Sequence, residues 1–183
     1  YILCFVDTLT RWLIAIATPR ATAEIVAEVF VNHVICKFGV PNNLITDNGT
    51  AFCSDLFSKT ATLLGVKKIH IATRSPRGNA VCERNQKSLK GALSTLCNKY
   101  SDDWDDFLHM ASFAMNTSIN STGYSAYYLL FGHDARLPSS LNIPKSITEQ
   151  INRPQYVINL QNNLKTIWQL ANYNSELEWM KNK

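Results

Sequence analysis

The hydrophobic positions of this chain follow two different periods, which predicts strands and helices in turn. Two apolar runs, residues 1–7 and 11–18, predict antiparallel strands joined by a turn at residues 8–10. Thr22 can cap a helix that ends before Gly39, a buried strand ends at Asp47, and Ser54 can cap a further helix. Residues 67–72 alternate like a strand, and a long helix begins near Ala80. This order of elements predicts an α/β layer with a mixed sheet.

The long helix after residue 79 is predicted to be amphipathic. At about 100° per residue its apolar positions form one narrow stripe, made of Cys82, Leu89, Leu93, Leu96 and Tyr100. Beside that stripe Glu83, Lys87 and Lys90 line up, so one flank presents a carboxylate and two ammonium groups along a line that suits a phosphate backbone. The alternative is a solvated flank, in which the helix N-terminus and Lys87 stabilise Glu83.

The last third of the chain is predicted to be helical. Residues 102–117 and a short segment after Ser125 fit helices, and residues 157–171 form an almost heptad seam that predicts a helix outside the main core, as a linker, an interface or a covering element. We therefore expect a core domain at residues 1–140 and a helical extension at residues 141–183. No apolar run approaches the roughly 20 residues of a membrane span, so we expect a soluble protein without a membrane partner.

Composition narrows the class of protein. The 183 residues are 46% hydrophobic and 17% charged, which indicates a globular domain rather than a disordered chain. The first residues already fit a buried strand and no methionine precedes them, so we expect a piece of a longer chain. Five widely spaced cysteines without a CxxC pair favour reduced thiols in a cytosolic or nuclear setting and argue against a structural zinc site.

Charge is concentrated in residues 67–90, which contain seven lysines and arginines and a single acid, Glu83. This stretch is more positive than the whole chain, whose formal net charge is +4. A lone carboxylate in a basic field suggests a metal ion held beside a polyanion.

Three carboxylates are the candidate chemical groups. Asp7 and Asp47 each end an apolar strand and Glu83 opens a helix, so the three could converge at one end of the sheet. Such a cluster repels itself without a cation, and two Mg²⁺ ions about 3.5–4 Å apart would neutralise it and serve chemistry at phosphorus. Each residue also has an ordinary interpretation: a hairpin acid, the first residue of an Asp-Asn-Gly turn, and a partner of the helix dipole.

The motifs around these carboxylates resemble a known family. FVDTLTRW surrounds Asp7, GVPNNLITDNGTAF surrounds Asp47 and SPRGNAVCERNQKSLK surrounds Glu83, with 35 residues between the last two acids. With the downstream segment MNTSINSTGYSAYYLLFGHDARLP, the chain resembles the catalytic core of retroviral-type integrases over about residues 1–140, most closely those of Gypsy-type LTR retrotransposons. The resemblance implies a five-stranded RNase H-like fold in which Asp7, Asp47 and Glu83 bind two Mg²⁺ ions, for which Mn²⁺ can substitute.

The same resemblance implies a reaction and its partners. The protein would trim the 3′ ends of element DNA and join them to target DNA, as a homodimer or higher oligomer in the nucleus and also the cytoplasm. The DNA contacts it implies are Asn48, Arg77, Asn79, Arg84, Lys87 and Lys90. One departure is Ala80, where many relatives have glycine. Two alternatives stay open: a host protein derived from such an element that works as a DNA-binding or scaffold module, and a hydrolytic RNase H-like nuclease.

Overall fold

The computed structural model describes residues 1–47, 49–70, 79–97, 103–137 and 153–181. These residues form two compact units, one of residues 1–6 and 13–113 and the other of residues 7–12 and 114–183. The elements are β1 (Ile2–Val6), β2 (Leu13–Ala17), α1 (Ala23–Val29), α2 (Cys36–Phe38), β3 (Asn43–Thr46), α3 (Asp55–Leu63), β4 (Lys67–His70), α4 (Asn79–Leu96), α5 (Trp104–Thr117), α6 (Ala126–Phe131) and α7 (Arg153–Lys181). The predicted order of strands and helices is confirmed.

The first two strands form the predicted antiparallel hairpin. Their register runs from Ile2 opposite Ala17 to Val6 opposite Leu13. In the turn, the Asp7 amide donates to the Trp12 carbonyl at 3.0 Å, and the Arg11 amide donates to the Asp7 carbonyl at 2.9 Å. Arg11 has φ of 65°, the left-handed conformation that closes the turn.

The next two strands are parallel and are joined across α3. β3 and β4 pair from Asn43 opposite Lys67 to Thr46 opposite His70, and parallel neighbours need such a helical crossover. The Ser54 hydroxyl caps α3 as predicted, because it accepts the Phe57 amide at 3.2 Å. Asp47 follows directly at the carboxyl end of β3.

The α/β class is confirmed, whereas a single five-stranded sheet is not. Within the described residues the four strands form two separate pairs, β1 with β2 and β3 with β4. Residues 71–78, which follow β4, lie outside the described part of the chain.

The core of the first unit is built from aromatic and aliphatic side chains of β1, α1, α3 and the helical turn that follows α1. The buried rings of Phe30 and Phe57 lie 5.8 Å apart, with Leu3 and Val26 in the same cluster. Phe30 opens a π-helical turn, Phe30–Ile35, between α1 and α2, which the sequence pattern does not predict.

The helix α4 packs against β1 by the predicted apolar stripe. Leu89 and Leu93 are buried and Cys82 is half-buried, whereas Leu96 at the helix end is 39% exposed. Tyr100, the last member of the stripe, lies outside the described residues.

In the second unit, α7 packs on α6. The Trp168 indole Nε1–H donates to the Leu129 carbonyl at 2.7 Å, the Asn174 amide donates to the Thr122 carbonyl at 2.8 Å, and Ala171 is fully buried.

The domain boundary expected after residue 140 falls in the stretch 138–152, outside the described residues, and stays a prediction. Among the helices of the described part, none is both long and apolar enough to cross a membrane.

Candidate active site

Asp7 lies exposed in the turn after β1. Its Oδ2 accepts two hydrogen bonds from Thr10, one from the amide and one from the hydroxyl, both at 2.7 Å. Within the described residues its Oδ1 accepts no hydrogen bond. The turn therefore fixes the orientation of the carboxylate and leaves one oxygen available for a ligand.

Asp47 is exposed and its carboxylate is also held by a local turn. Oδ1 accepts the Gly49 amide at 3.0 Å. A Cβ atom added to Gly49 would lie 3.0 Å from this Oδ1, so the close approach of backbone and carboxylate favours glycine at this position. The described residues offer no donor to Oδ2. Asn48, predicted to contact DNA, lies outside the described part of the chain.

Glu83 lies exposed near the start of α4, where the sequence predicts it. The neighbouring Cys82 links it to Asp47, because the pKa of the Cys82 thiol is raised first by burial and then by the negative charges of Asp47 and Glu83. A carboxylate raises the pKa of a thiol because it disfavours the thiolate at short range. Asp47 and Glu83 therefore both lie within electrostatic range of one half-buried thiol.

Cys4 on β1 shows how closely α4 approaches that strand. Its thiol has a pKa raised to about 12, chiefly by burial and also by the Cys82 thiol, against a lowering by the positive charge of Lys90. Cys4, Cys82 and Lys90 thus lie around the contact between β1 and α4. Both thiols stay protonated at neutral pH and do not act as nucleophiles there.

The basic flank of α4 is present as predicted for the residues that can be described. Arg84, Lys87 and Lys90 are all exposed, and Lys87 and Lys90 follow Glu83 at helical spacing along the same flank. Asn79 is the first residue of α4, but its side chain and the whole of Arg77 lie outside the described residues.

The donor chemistry fits a hard cation. The carboxylates of Asp7, Asp47 and Glu83 are exposed oxygen ligands of the kind that Mg²⁺ prefers. No group of three or more histidine, cysteine, aspartate or glutamate side chains that could hold a metal ion occurs among the described residues. Asp47 and Glu83 belong to the first compact unit and Asp7 to the second. The convergence of the three carboxylates on one metal site stays a prediction.

One residue that holds the turn after Asp47 was missed by sequence reasoning. Lys68 of β4 is half-buried, and its ammonium group donates to the Phe52 carbonyl and, at 3.0 Å, to the Ser58 hydroxyl. A signal for this was present, because alternate residues of a strand share a face and Lys68 stands two residues after the buried Val66.

Comparisons with known sequences agree with the motifs. The sequence model of the integrase core domain matches residues 1–76. The chain is 33% identical over 144 residues to the Gag-Pol polyprotein of baboon endogenous virus (strain M7), covering 78% of this chain and 8% of the relative. It is 32% identical over 154 residues to the Pol polyprotein of radiation murine leukemia virus (strain Kaplan), covering 79% and 26%. The chain thus spans about a quarter or less of these relatives.

Solved structures show the same fold. The catalytic core domain of BIV integrase has a TM-score of 0.59 at 23% identity, covering 70% of this chain and 83% of that one. A chain of the simian T-cell lymphotropic virus intasome, solved in complex with PP2A regulatory subunit B56 gamma, also has a TM-score of 0.59, at 22% identity, covering 82% and 57%. The HTLV-2 integrase catalytic core in complex with magnesium has a TM-score of 0.57 at 22% identity, covering 69% and 81%. The predicted RNase H-like α/β fold class is confirmed.

Proposed function

Because residues 1–76 match the integrase core domain and most of the chain is homologous to segments of retroviral Pol polyproteins, we propose that this protein is a polynucleotidyl transferase of DNA integration. It trims the 3′ ends of element DNA and joins them to target DNA. The observation that carries the proposal is the match of residues 1–76, which include Asp7 and Asp47, to the integrase core domain. Such a reaction needs carboxylates that bind the metal ions beside a surface that accepts DNA.

Asp47, Glu83 and Asp7 are proposed as the ligands of two Mg²⁺ ions. All three are supported by their motifs and their exposed carboxylates, and Asp7 and Asp47 also by the turn hydrogen bonds that hold them. When bound, the metal supplies activation of the attacking water or hydroxyl and stabilisation of the leaving oxygen. The protein holds the ligand oxygens in fixed orientations through Thr10 and Gly49.

The flank of α4 is proposed as the surface that holds element DNA. Lys87 and Lys90 are exposed beside Glu83, and an ammonium group neutralises a phosphate without competing for the metal ion. Arg84 joins them on the same helix, and Arg77, Asn79 and Asn48 are proposed contacts on their motifs alone. We further propose that the protein acts in the nucleus as a homodimer or higher oligomer, and that it originates from a Gypsy-type LTR retrotransposon.

The test is a disintegration assay on branched DNA in Mg²⁺ or Mn²⁺, the reaction that depends least on further domains. We expect the branched substrate to be resolved into a joined and a released strand, and chelation of the metal to stop the reaction. A chain that binds the substrate but neither cleaves nor joins it with either metal would contradict the proposal.

A further inference from the structure

The connection between β3 and α3, residues 49–54, is a turn with several internal hydrogen bonds. The Cys53 amide donates to the Gly49 carbonyl at 3.0 Å, and the Ser54 hydroxyl donates to the Ala51 carbonyl at 2.8 Å. These bonds close the turn on itself, but they do not attach it to the neighbouring strand β4.

Lys68 of β4 attaches this turn to the strand. Its ammonium group donates to the Phe52 carbonyl and to the Ser58 hydroxyl, and lies 5.4 Å from the centroid of the Phe57 ring. These partners within the described residues are a carbonyl, a hydroxyl and an aromatic face, and none is a carboxylate. A half-buried ammonium group is held well by such neighbours, because each directs partial negative charge towards it.

A continuous set of contacts leads from this ammonium group to Asp47. The Phe52 ring packs edge-on against the buried Phe57 ring, with centroids 5.6 Å apart. A Cβ atom on Gly49 would lie 3.3 Å from Cδ2 of Phe52, so the ring lies directly against the Gly49 backbone. Gly49 in turn donates its amide to Oδ1 of Asp47 at 3.0 Å. Both the carbonyl and the ring of Phe52 are thus held by neighbouring groups. The ring in turn holds Gly49, whose amide orients the Asp47 carboxylate.

We propose that Lys68 is a positioning residue for Asp47. By holding the Phe52 carbonyl and lying over the Phe57 ring, it keeps the Gly49 amide where it orients the Asp47 carboxylate for a divalent cation. The role in metal binding rests on the proposed function, whereas the role in holding the turn does not. Substitution of a residue that orients a metal ligand without touching the metal typically lowers the metal affinity by about 10- to 100-fold.

The first measurement is amide hydrogen exchange in the full chain, which needs no metal. Lys68→Met keeps the length of the side chain but removes the donors and the charge. The matched control is Lys67→Met, the adjacent and exposed lysine of the same strand. We expect the peptide of residues 49–57 to exchange about fivefold faster in Lys68→Met only, with the buried helix peptide of residues 23–30 unchanged. Equal acceleration of both peptides, or of neither, would overturn the proposal.

The second measurement is Mn²⁺ affinity by calorimetry, well below the melting temperature of each variant. Lys68→Met should bind Mn²⁺ about 10-fold more weakly than the wild-type chain, and Lys67→Met should bind it equally well. Unchanged affinity in Lys68→Met would overturn the proposal. A wild-type chain that binds no Mn²⁺ would instead overturn the proposed function, and the exchange result would still decide whether Lys68 holds the turn.

Discussion

At the scale of single residues, the pKa of the Cys82 thiol responds to the charges of two carboxylates. Its pKa is raised by burial and by the charges of Asp47 and Glu83, both of which disfavour the thiolate. Replacing Asp47 by Asn removes one anion, so the pKa of Cys82 should fall towards its ordinary value and the thiolate fraction at mildly alkaline pH should rise. Mg²⁺ bound by the carboxylates should act in the same direction.

The measurement is the pH dependence of Cys82 alkylation, followed by mass spectrometry of the peptide that carries it. We expect the alkylation profile of Asp47→Asn to shift to lower pH. The matched control is Asp55→Asn, which removes an exposed acid from the first turn of α3 and should leave the profile unchanged. Identical profiles for the wild-type chain and Asp47→Asn would show that Asp47 lies too far from this thiol.

The sequence selected Asp7, Asp47 and Glu83 as candidates, because their motifs and spacing are local properties of the chain, and their shared role stays a prediction. The alternation of β4 gave a signal for the burial of Lys68, but the sequence indicated neither its partners nor the electrostatic effect of both acids on Cys82. Those depend on which strand lies beside the turn and on how α4 rests on β1, and both are contacts between residues distant in sequence. A lysine in an alternating strand also looks like an exposed residue unless the neighbouring element is known.

At the scale of elements, the lysines on the flank of α4 should contribute to DNA binding and not to metal binding. The variant Lys87→Glu with Lys90→Glu should weaken binding to element-end DNA and flatten the slope of log affinity against log salt by about two units, one for each phosphate contact. Binding across a salt series by fluorescence anisotropy measures this slope.

The control for this prediction has the same change in net charge at another surface. Lys37 and Lys59 are exposed on α2 and α3, so Lys37→Glu with Lys59→Glu should keep the wild-type salt slope. Equal slopes for the α4 variant and the wild-type chain would mean that DNA does not lie along this flank.

The contact between α6 and α7 predicts a stability difference between two glycines. Gly132 ends α6 with φ of 76°, and an added Cβ would lie 2.4 Å from Cδ1 of Leu160 on α7. Gly132→Ala should therefore lower the free energy of unfolding by more than the roughly 1–2 kcal/mol of left-handed strain. Gly65 has φ of 70° and no atom within 4 Å of an added Cβ, so Gly65→Ala should lower it by the strain alone. Chemical denaturation of both variants tests this, and equal losses would place Leu160 away from Gly132.

Helix ends were more predictable than helix interiors. Ser54 and Ser125 cap α3 and α6 because a serine hydroxyl meets the amide three residues later, which depends only on local sequence. The π-helical turn at Phe30–Ile35 has no such local cause. It coincides with the packing of Phe30 against Phe5 and Phe57, and such tertiary packing is not visible in the apolar spacing of the helix.

At the scale of the whole molecule, the α/β class followed from the order of elements, but the grouping of the chain into two units did not. Residues 7–12 fall with residues 114–183 rather than with the strands that flank them, and no local pattern marks that division. A single sheet was expected from the resemblance, whereas pairing within the described residues gives β1 with β2 and β3 with β4. Strand pairing across long separations depends on packing that a single sequence does not encode locally.

The proposed activity of this protein is metal-dependent DNA strand transfer by its acidic residues. Its most direct test is disintegration of branched DNA in Mg²⁺ by Asp47→Asn compared with Asp55→Asn, with melting temperature and DNA affinity measured for both. Loss of one anionic ligand should lower the rate at least about 100-fold in Asp47→Asn, with folding and DNA binding retained, while Asp55→Asn reacts like the wild-type chain. Wild-type activity in Asp47→Asn would contradict the account.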